Sequence, residues 1–171
     1  NQIFRSLSNA FDLSELKEVT LESNPDDHSD EKLALWKSLG INRLSIGIQS
    51  FIDRDLKLMN RAHNAQDAQL CVQKARDAGF EKVTLDLIYG IPNQTSVEWR
   101  SNIQRAIDLN PQHISAYCLT VEEKTALHHQ LVKGEISEKD DEIIEQEYLT
   151  LHHMLSKAGY EHYEISNFGK P

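Results

Sequence analysis

Glu22, Gln49 and Asp86 are the side chains whose type and position could carry chemistry. Each comes late in a stretch where apolar and polar residues alternate: Val19 to Glu22, Leu44 to Gln49 and Val83 to Asp86. Two carboxylates and a carboxamide can accept hydrogen bonds from an ammonium group or from sugar hydroxyls, and the carboxylates can also serve as general acid and base. Each residue alone has a bland reading. Glu22 could cap the Asn24-Pro25 turn and Asp86 could sit in a local ion pair. Three coincident positions favour a site.

The elements that must hold these residues are strands at 18–23, 43–49, 82–88, 113–120 and 162–166. Starts separated by roughly 25 to 40 residues, each interval filled by one helix, leave room for crossovers and predict parallel neighbours. The last interval is longer and holds two helices with Gly134 between them. Gly40, Gly79 and Gly159 each follow a helical pattern and precede a strand, the position where glycine closes a helix. Ala68, Cys71, Val72, Ala75 and Ala78 form one apolar stripe on a helix entered at Asn64. Trp99, Ile103, Ala106 and Ile107 form another, opened by the capping pair Thr95 and Glu98. Ile144, Tyr148, Leu151 and Leu155 mark a third, acidic helix. All three stripes read as core packing.

Strand parity adds what a helix count cannot. Val19 and Leu21, then Leu44, Ile46 and Ile48, then Val83, Leu85 and Leu87 form an apolar set; Thr20, Glu22, Ser45, Gly47, Gln49, Thr84 and Asp86 form a polar one. A doubly wound sheet covers both faces with helices and is apolar on both. One polar face predicts instead an α/β chain of parallel βα repeats forming a barrel wall around a polar ligand, with Glu22, Gln49 and Asp86 at the carboxyl ends where such folds place their sites.

Composition removes other classes. The 27 Asp plus Glu against 18 Lys plus Arg give a net charge of -9, which argues against a nucleic-acid surface. No apolar run approaches the roughly 20 residues that cross a bilayer. Cys71 and Cys118 lie too far apart for a CxxC spacing, which predicts no metal site within these residues and a cytoplasmic location. Both read as buried small hydrophobes. His128-His129 and His152-His153 are adjacent pairs, and helical neighbours point about 100° apart, unsuited to one metal ion. GxGxxG, Walker A, HExxH and GxSxG are all missing. From the residues alone the chain is an α/β enzyme domain with a polar site and no named substrate.

Four ordered segments add a resemblance: Leu21-Glu22-Ser23-Asn24-Pro25, Asn42 to Phe51, Asn60-Arg61, and Leu85-Asp86-Leu87-Ile88-Tyr89-Gly90-Ile91-Pro92-Asn93-Gln94-Thr95. Together they resemble the radical S-adenosylmethionine (radical SAM) proteins of the oxygen-independent coproporphyrinogen III oxidase family. The closing Tyr163 to Pro171 is similar to the haem chaperone branch. The resemblance implies that the parallel βα repeats form part of an open, partial TIM-like barrel of (βα)6 type, open enough for a tetrapyrrole, with a porphyrin or haem as partner. It implies that Glu22, Gln49, Arg61 and Asp86 contact S-adenosylmethionine, with Thr120 at a further contact position.

The family's [4Fe-4S] cluster is bound by a CxxxCxxC loop, which the resemblance places before Asn1; its haem-associated HNxxY segment would follow Pro171. Residues 1–171 are thus expected to be the central and C-terminal part of a radical SAM core domain, inactive alone, with exposed sheet edges that favour self-association. The haem chaperone is the leading expectation and the oxidase, a radical decarboxylase of propionates, the alternative. A non-catalytic binding or scaffold domain is a second alternative. An unrelated βα enzyme using Glu22 and Asp86 as acid and base is the weakest.

Overall fold

The computed structural model describes residues 2–171. Its strands are β1 (Thr20–Ser23), β2 (Arg43–Gln49), β3 (Lys82–Tyr89), β4 (His113–Cys118), β5 (Glu161–Glu164) and β6 (Asn167–Gly169). Its helices are α1 (Gln2–Ala10), α2 (Asp30–Ser38), α3 (Asp53–Leu58), α4 (Ala65–Asp77), α5 (Ser96–Asp108), α6 (Ala126–Val132) and α7 (Asp141–Lys157). One sheet runs in the order β1-β2-β3-β4-β6-β5. The first four strands are parallel, as helix crossovers require. Among the described residues no helix is long and apolar enough to cross a membrane.

Local chemistry explains the element boundaries. The Asn64 side chain accepts from the amides of Gln66 and Asp67 to open α4, and Thr95 with Glu98 closes a capping box at α5. Gly40 and Gly79 both take φ +85 behind their helices. A side chain there would strain the left-handed residue that turns each helix into the next strand.

The apolar parity faces the helices. Leu44, Ile46, Ile48, Leu85 and Leu87 are fully buried in one cluster with Ala68 and Val72 of α4, Trp99 and Ile103 of α5, and Leu151 and Leu155 of α7. The opposite parity is paired across the sheet: Glu22 lies beside Ser45, Ser45 beside Thr84, and Asp86 beside Ser115. The polar wall therefore continues into β4.

The end of the chain differs from expectation. No single strand spans 162–166 parallel to its neighbours; β5 and β6 form a hairpin, and β6 pairs antiparallel with β4. The Glu164 carboxylate accepts from the Ser166 amide and from the Asn167 side chain, which folds Ile165-Ser166 into the turn. Cys118 also departs from its reading. It is exposed at the last residue of β4, whereas Cys71 is buried on α4.

Candidate functional site

At the carboxyl ends of β1, β2 and β3, Glu22, Gln49, Arg61 and Asp86 line one cleft of about 380 Å³. The structure thus brings four of the five predicted residues together. Thr120 does not line that cleft; it lies in an adjoining concavity of about 330 Å³ with Ile88 and Leu119, and Arg61 lines both. Neither bland reading of the carboxylates holds. The turn after β1 is capped by Asn24 and Asp27, and among the described residues Asp86 makes no ion pair.

The β1 end is fixed from behind. The Ser23 hydroxyl lies 2.9 Å from His28 Nε2, and His28 Nδ1 lies 3.1 Å from the Cys71 carbonyl oxygen. A carbonyl only accepts, so Nδ1 carries the proton and Nε2 accepts from Ser23. Burial pushes the His28 pKa below the ordinary imidazole value.

Gln49 reaches the cleft through an irregularity in β2. Ile46 pairs with Leu85 and Gln49 with Leu87, so β2 spends one residue more than β3 over the same span. Gln49 itself takes φ +66, a left-handed φ uncommon for a residue of this size, and the Ser50 amide donating to the Ile48 carbonyl at 2.8 Å closes a strained γ-turn around it. Beside it, Gly47 leaves a space. A Cβ there would stand 2.8 Å from Gln49 Nε2 and 3.3 Å from Asn24 Oδ1. Glycine lets these two amides close over the strand.

Asp86 is half-buried between Ser45, 3.5 Å away through its hydroxyl, and Ser115. Burial raises its pKa above the ordinary carboxylate value and the nearby Glu22 charge adds to the rise, against hydrogen bonds from Ser115 and Ser45. Arg61 arrives from the loop after α3, where Asn60 at φ +54 turns the chain and the Arg61 amide donates to the Leu56 carbonyl at 2.9 Å. Two carboxylates, a carboxamide and a guanidinium in one cleft suit a zwitterion: an ammonium against Glu22 and Asp86, a carboxylate against Arg61.

Asn24, Gly47 and the Ser23–His28 pair were not singled out as site residues by sequence reasoning. A glycine on the polar parity between Ser45 and Gln49 was the available signal for the cradle. The cysteines supply no ligand set: burial pushes the Cys71 thiol up to about 12, and Cys118 stands alone at the end of β4. Among the described residues no three His, Cys, Asp or Glu side chains are grouped to hold a metal ion.

Comparison with known proteins places this geometry. The chain is 39% identical over 157 residues to the heme chaperone HemW of Bacillus subtilis (strain 168), spanning 92% of this chain and 41% of that protein. It is 33% identical over 170 residues to the heme chaperone HemW of Lactococcus lactis subsp. lactis (strain IL1403), spanning 99% of this chain and 45% of that protein. The chain therefore spans less than half the length of these curated relatives. The structure of coproporphyrinogen III oxidase (HemN) from Escherichia coli, a radical SAM enzyme, superposes with a TM-score of 0.80 over 99% of this chain and 39% of that one, at 24% identity, a likeness of fold. The model of the Radical SAM superfamily matches residues 2–106. That span carries β1, β2 and β3 with all four residues of the cleft, and the chain belongs to the radical SAM superfamily.

Proposed function

We propose that the chain is the central and C-terminal part of a radical SAM core domain, and that its cleft holds S-adenosylmethionine. The observation that carries this reading is the convergence of Glu22, Gln49, Arg61 and Asp86 on one cleft at the carboxyl ends of parallel strands. The cleft fits the group. Its donor set matches an amino acid headgroup, and the space over Gly47 lets the Gln49 and Asn24 amides approach the strand. Arg61 lines both concavities, so a ligand spanning them would place its charged end by Glu22 and Asp86 and its less polar end by Ile88, Leu119 and Thr120.

In this reading Arg61 forks the ligand carboxylate, Glu22 and Asp86 accept from its ammonium or ribose hydroxyls, and Gln49 both donates and accepts. A cation beside Asp86 favours its ionised form, offsetting the burial that raises its pKa. S-adenosylmethionine held there beside a [4Fe-4S] cluster would supply hydrogen-abstracting radical chemistry. Cys71 and Cys118 do not fit that cluster, and its ligands belong to the complete protein.

For the complete protein we favour a cytoplasmic haem chaperone; the support is the two bacterial relatives of that name. The fold likeness to the oxidase favours radical decarboxylation of a porphyrinogen as the second reading. Incubation with coproporphyrinogen III, S-adenosylmethionine and a reductant separates them. Decarboxylated product overturns the chaperone, and haem transfer without turnover overturns the oxidase. The cleft is tested by titrating S-adenosylmethionine into the protein and its Arg61→Ala variant. The expected loss is at least about tenfold, as for a charge-assisted contact; equal, negligible binding by both leaves only a scaffold domain.

A further inference from the structure

Behind Gln49, on the side away from the cleft, lies a buried polar cluster that the ligand site does not use. Ser50, Asp55, Gln94 and Asn102 are each 4% exposed or less. Asn102, on α5, accepts from the Phe51 amide at 3.0 Å through Oδ1 and donates from Nδ2 to Ser50 Oγ at 3.0 Å. Ser50 Oγ also accepts from the Ile52 amide at 3.2 Å and donates to Asp55 Oδ2 at 2.9 Å. A hydroxyl has one proton and two lone pairs, and all three are spent here. Gln94 Nε2 adds a donor to Asp55 at 2.6 Å. Upstream, the Ile48 carbonyl accepts from Ser50 N at 2.8 Å and from His63 Nε2 at 3.1 Å.

The backbone is therefore pinned on both sides of residue 49 while residue 49 itself is strained. The other left-handed residues besides glycine are three asparagines and Lys124. Asparagine tolerates that region and glutamine gains little from it. Strain of this kind persists only where surroundings over-determine it. Asp55, in the first turn of α3, has Arg54 Nη2 3.4 Å from its Oδ1, so the carboxylate that anchors the cluster is itself paired.

We propose that Asn102 is a positioning residue: through Phe51 and Ser50 it holds Gln49 in the left-handed conformation that turns its carboxamide into the cleft. Asn102 itself lines no part of the cleft. The inference rests on the S-adenosylmethionine reading for its binding consequence, while the backbone consequence stands apart from it.

A double-mutant cycle tests the first part. S-adenosylmethionine is titrated calorimetrically into the protein and into Asn102→Ala, Gln49→Ala and the double variant. Asn102→Ala is expected to weaken binding about tenfold in the native background and less than about twofold when Gln49 is already alanine. Equal losses in both backgrounds overturn the proposal. Ser50→Ala, which removes the hydroxyl between Asn102 and Asp55, replaces Asn102→Ala in the same cycle should the latter lack a sharp melting transition. The second readout needs no ligand. The amide-to-Hα coupling and the chemical shifts of residue 49 report its backbone conformation by NMR, and in either variant they are expected to leave the left-handed region. A retained left-handed Gln49 overturns the proposal. Absence of binding by the unaltered protein overturns the cosubstrate reading, and the NMR result then decides the clamp alone.

Discussion

The two faces of the sheet are built from the same strands and obey different rules. One residue apart along β2 and β3, Ile46 and Leu85 are fully buried against helices, while Ser45 and Asp86 face the cleft side half-hydrated. The helix-covered face asks for apolar volume of roughly the right shape, which many side chains supply. The cleft face asks for particular groups, and it keeps some that weaken the fold. Asp86 is a carboxylate held where burial disfavours its charge, and Gln49 is a glutamine held where glycine would be more comfortable. Stability resides on one face and, in the proposed reading, recognition on the other.

The largest test removes volume from the first face. Leu85→Ala deletes a fully buried side chain from the middle of the cluster and is expected to cost about 3 kcal/mol in urea unfolding. The cleft residues of the folded fraction keep their positions, so S-adenosylmethionine binding should stay within about twofold. A loss of stability under about 1 kcal/mol would show that this face is not the anchor of the fold.

A substitution on the second face is expected to do the reverse. Asp86 has a folded-state pKa above its unfolded value, so between the two the folded state holds more proton than the unfolded one, and stability falls as pH rises through that interval. The deficit persists at neutral pH. Asp86→Asn keeps the shape and removes the charge. The melting temperature should rise at pH 7 and not near pH 3, while affinity for S-adenosylmethionine falls at least about tenfold. Lower stability together with lost binding would mean that Asp86 belongs to the fold as much as to the site.

The same contrast explains what could be read from the amino-acid order. Parity is a periodic property, so the two faces were visible in it, and Glu22 and Asp86 followed from their place on the polar one; Gln49 was picked out by the same parity, although it pairs with Leu87 and reaches the cleft through the irregularity in β2. Arg61 and Thr120 sit in loops after α3 and β4, where no period exists, and only a family resemblance pointed to them. The β5–β6 hairpin escaped because strands of four and three residues are shorter than any alternation can establish. Cys118 keeps the parity of Ile114 and Ala116 but is the last residue of β4, where the strand is exposed on both sides, and parity does not encode where a strand ends. The extra residue in β2 was equally silent. Asn102 left a trace: it stands between Trp99 and Ala106 on the buried stripe of α5, a polar residue where the pattern asks for an apolar one.

The smallest effect is expected where the two faces meet. His28 joins the cleft end of β1, through Ser23, to the helix layer, through the Cys71 carbonyl. Its folded-state pKa lies below the unfolded value of about 6.5. Above that value both states are neutral and the buried ring contributes its two hydrogen bonds in full. Below it the unfolded state takes up a proton that the folded state resists, so stability should fall as pH drops from about 6.5 towards the folded pKa. One group can contribute a slope of at most about 1.4 kcal/mol per pH unit. His113 is shifted the same way by burial, so the unaltered protein carries both contributions. His28→Gln retains a donor for the Cys71 carbonyl and does not titrate. Urea unfolding at pH 8, 7, 6 and 5.5, taken as a series for both proteins, should show a shallower slope below about pH 6.5 in the variant and parallel behaviour above it. Identical slopes throughout would place the acid sensitivity elsewhere, with His113 on the polar wall as its source, and would move the joint between the two faces from β1 to β4.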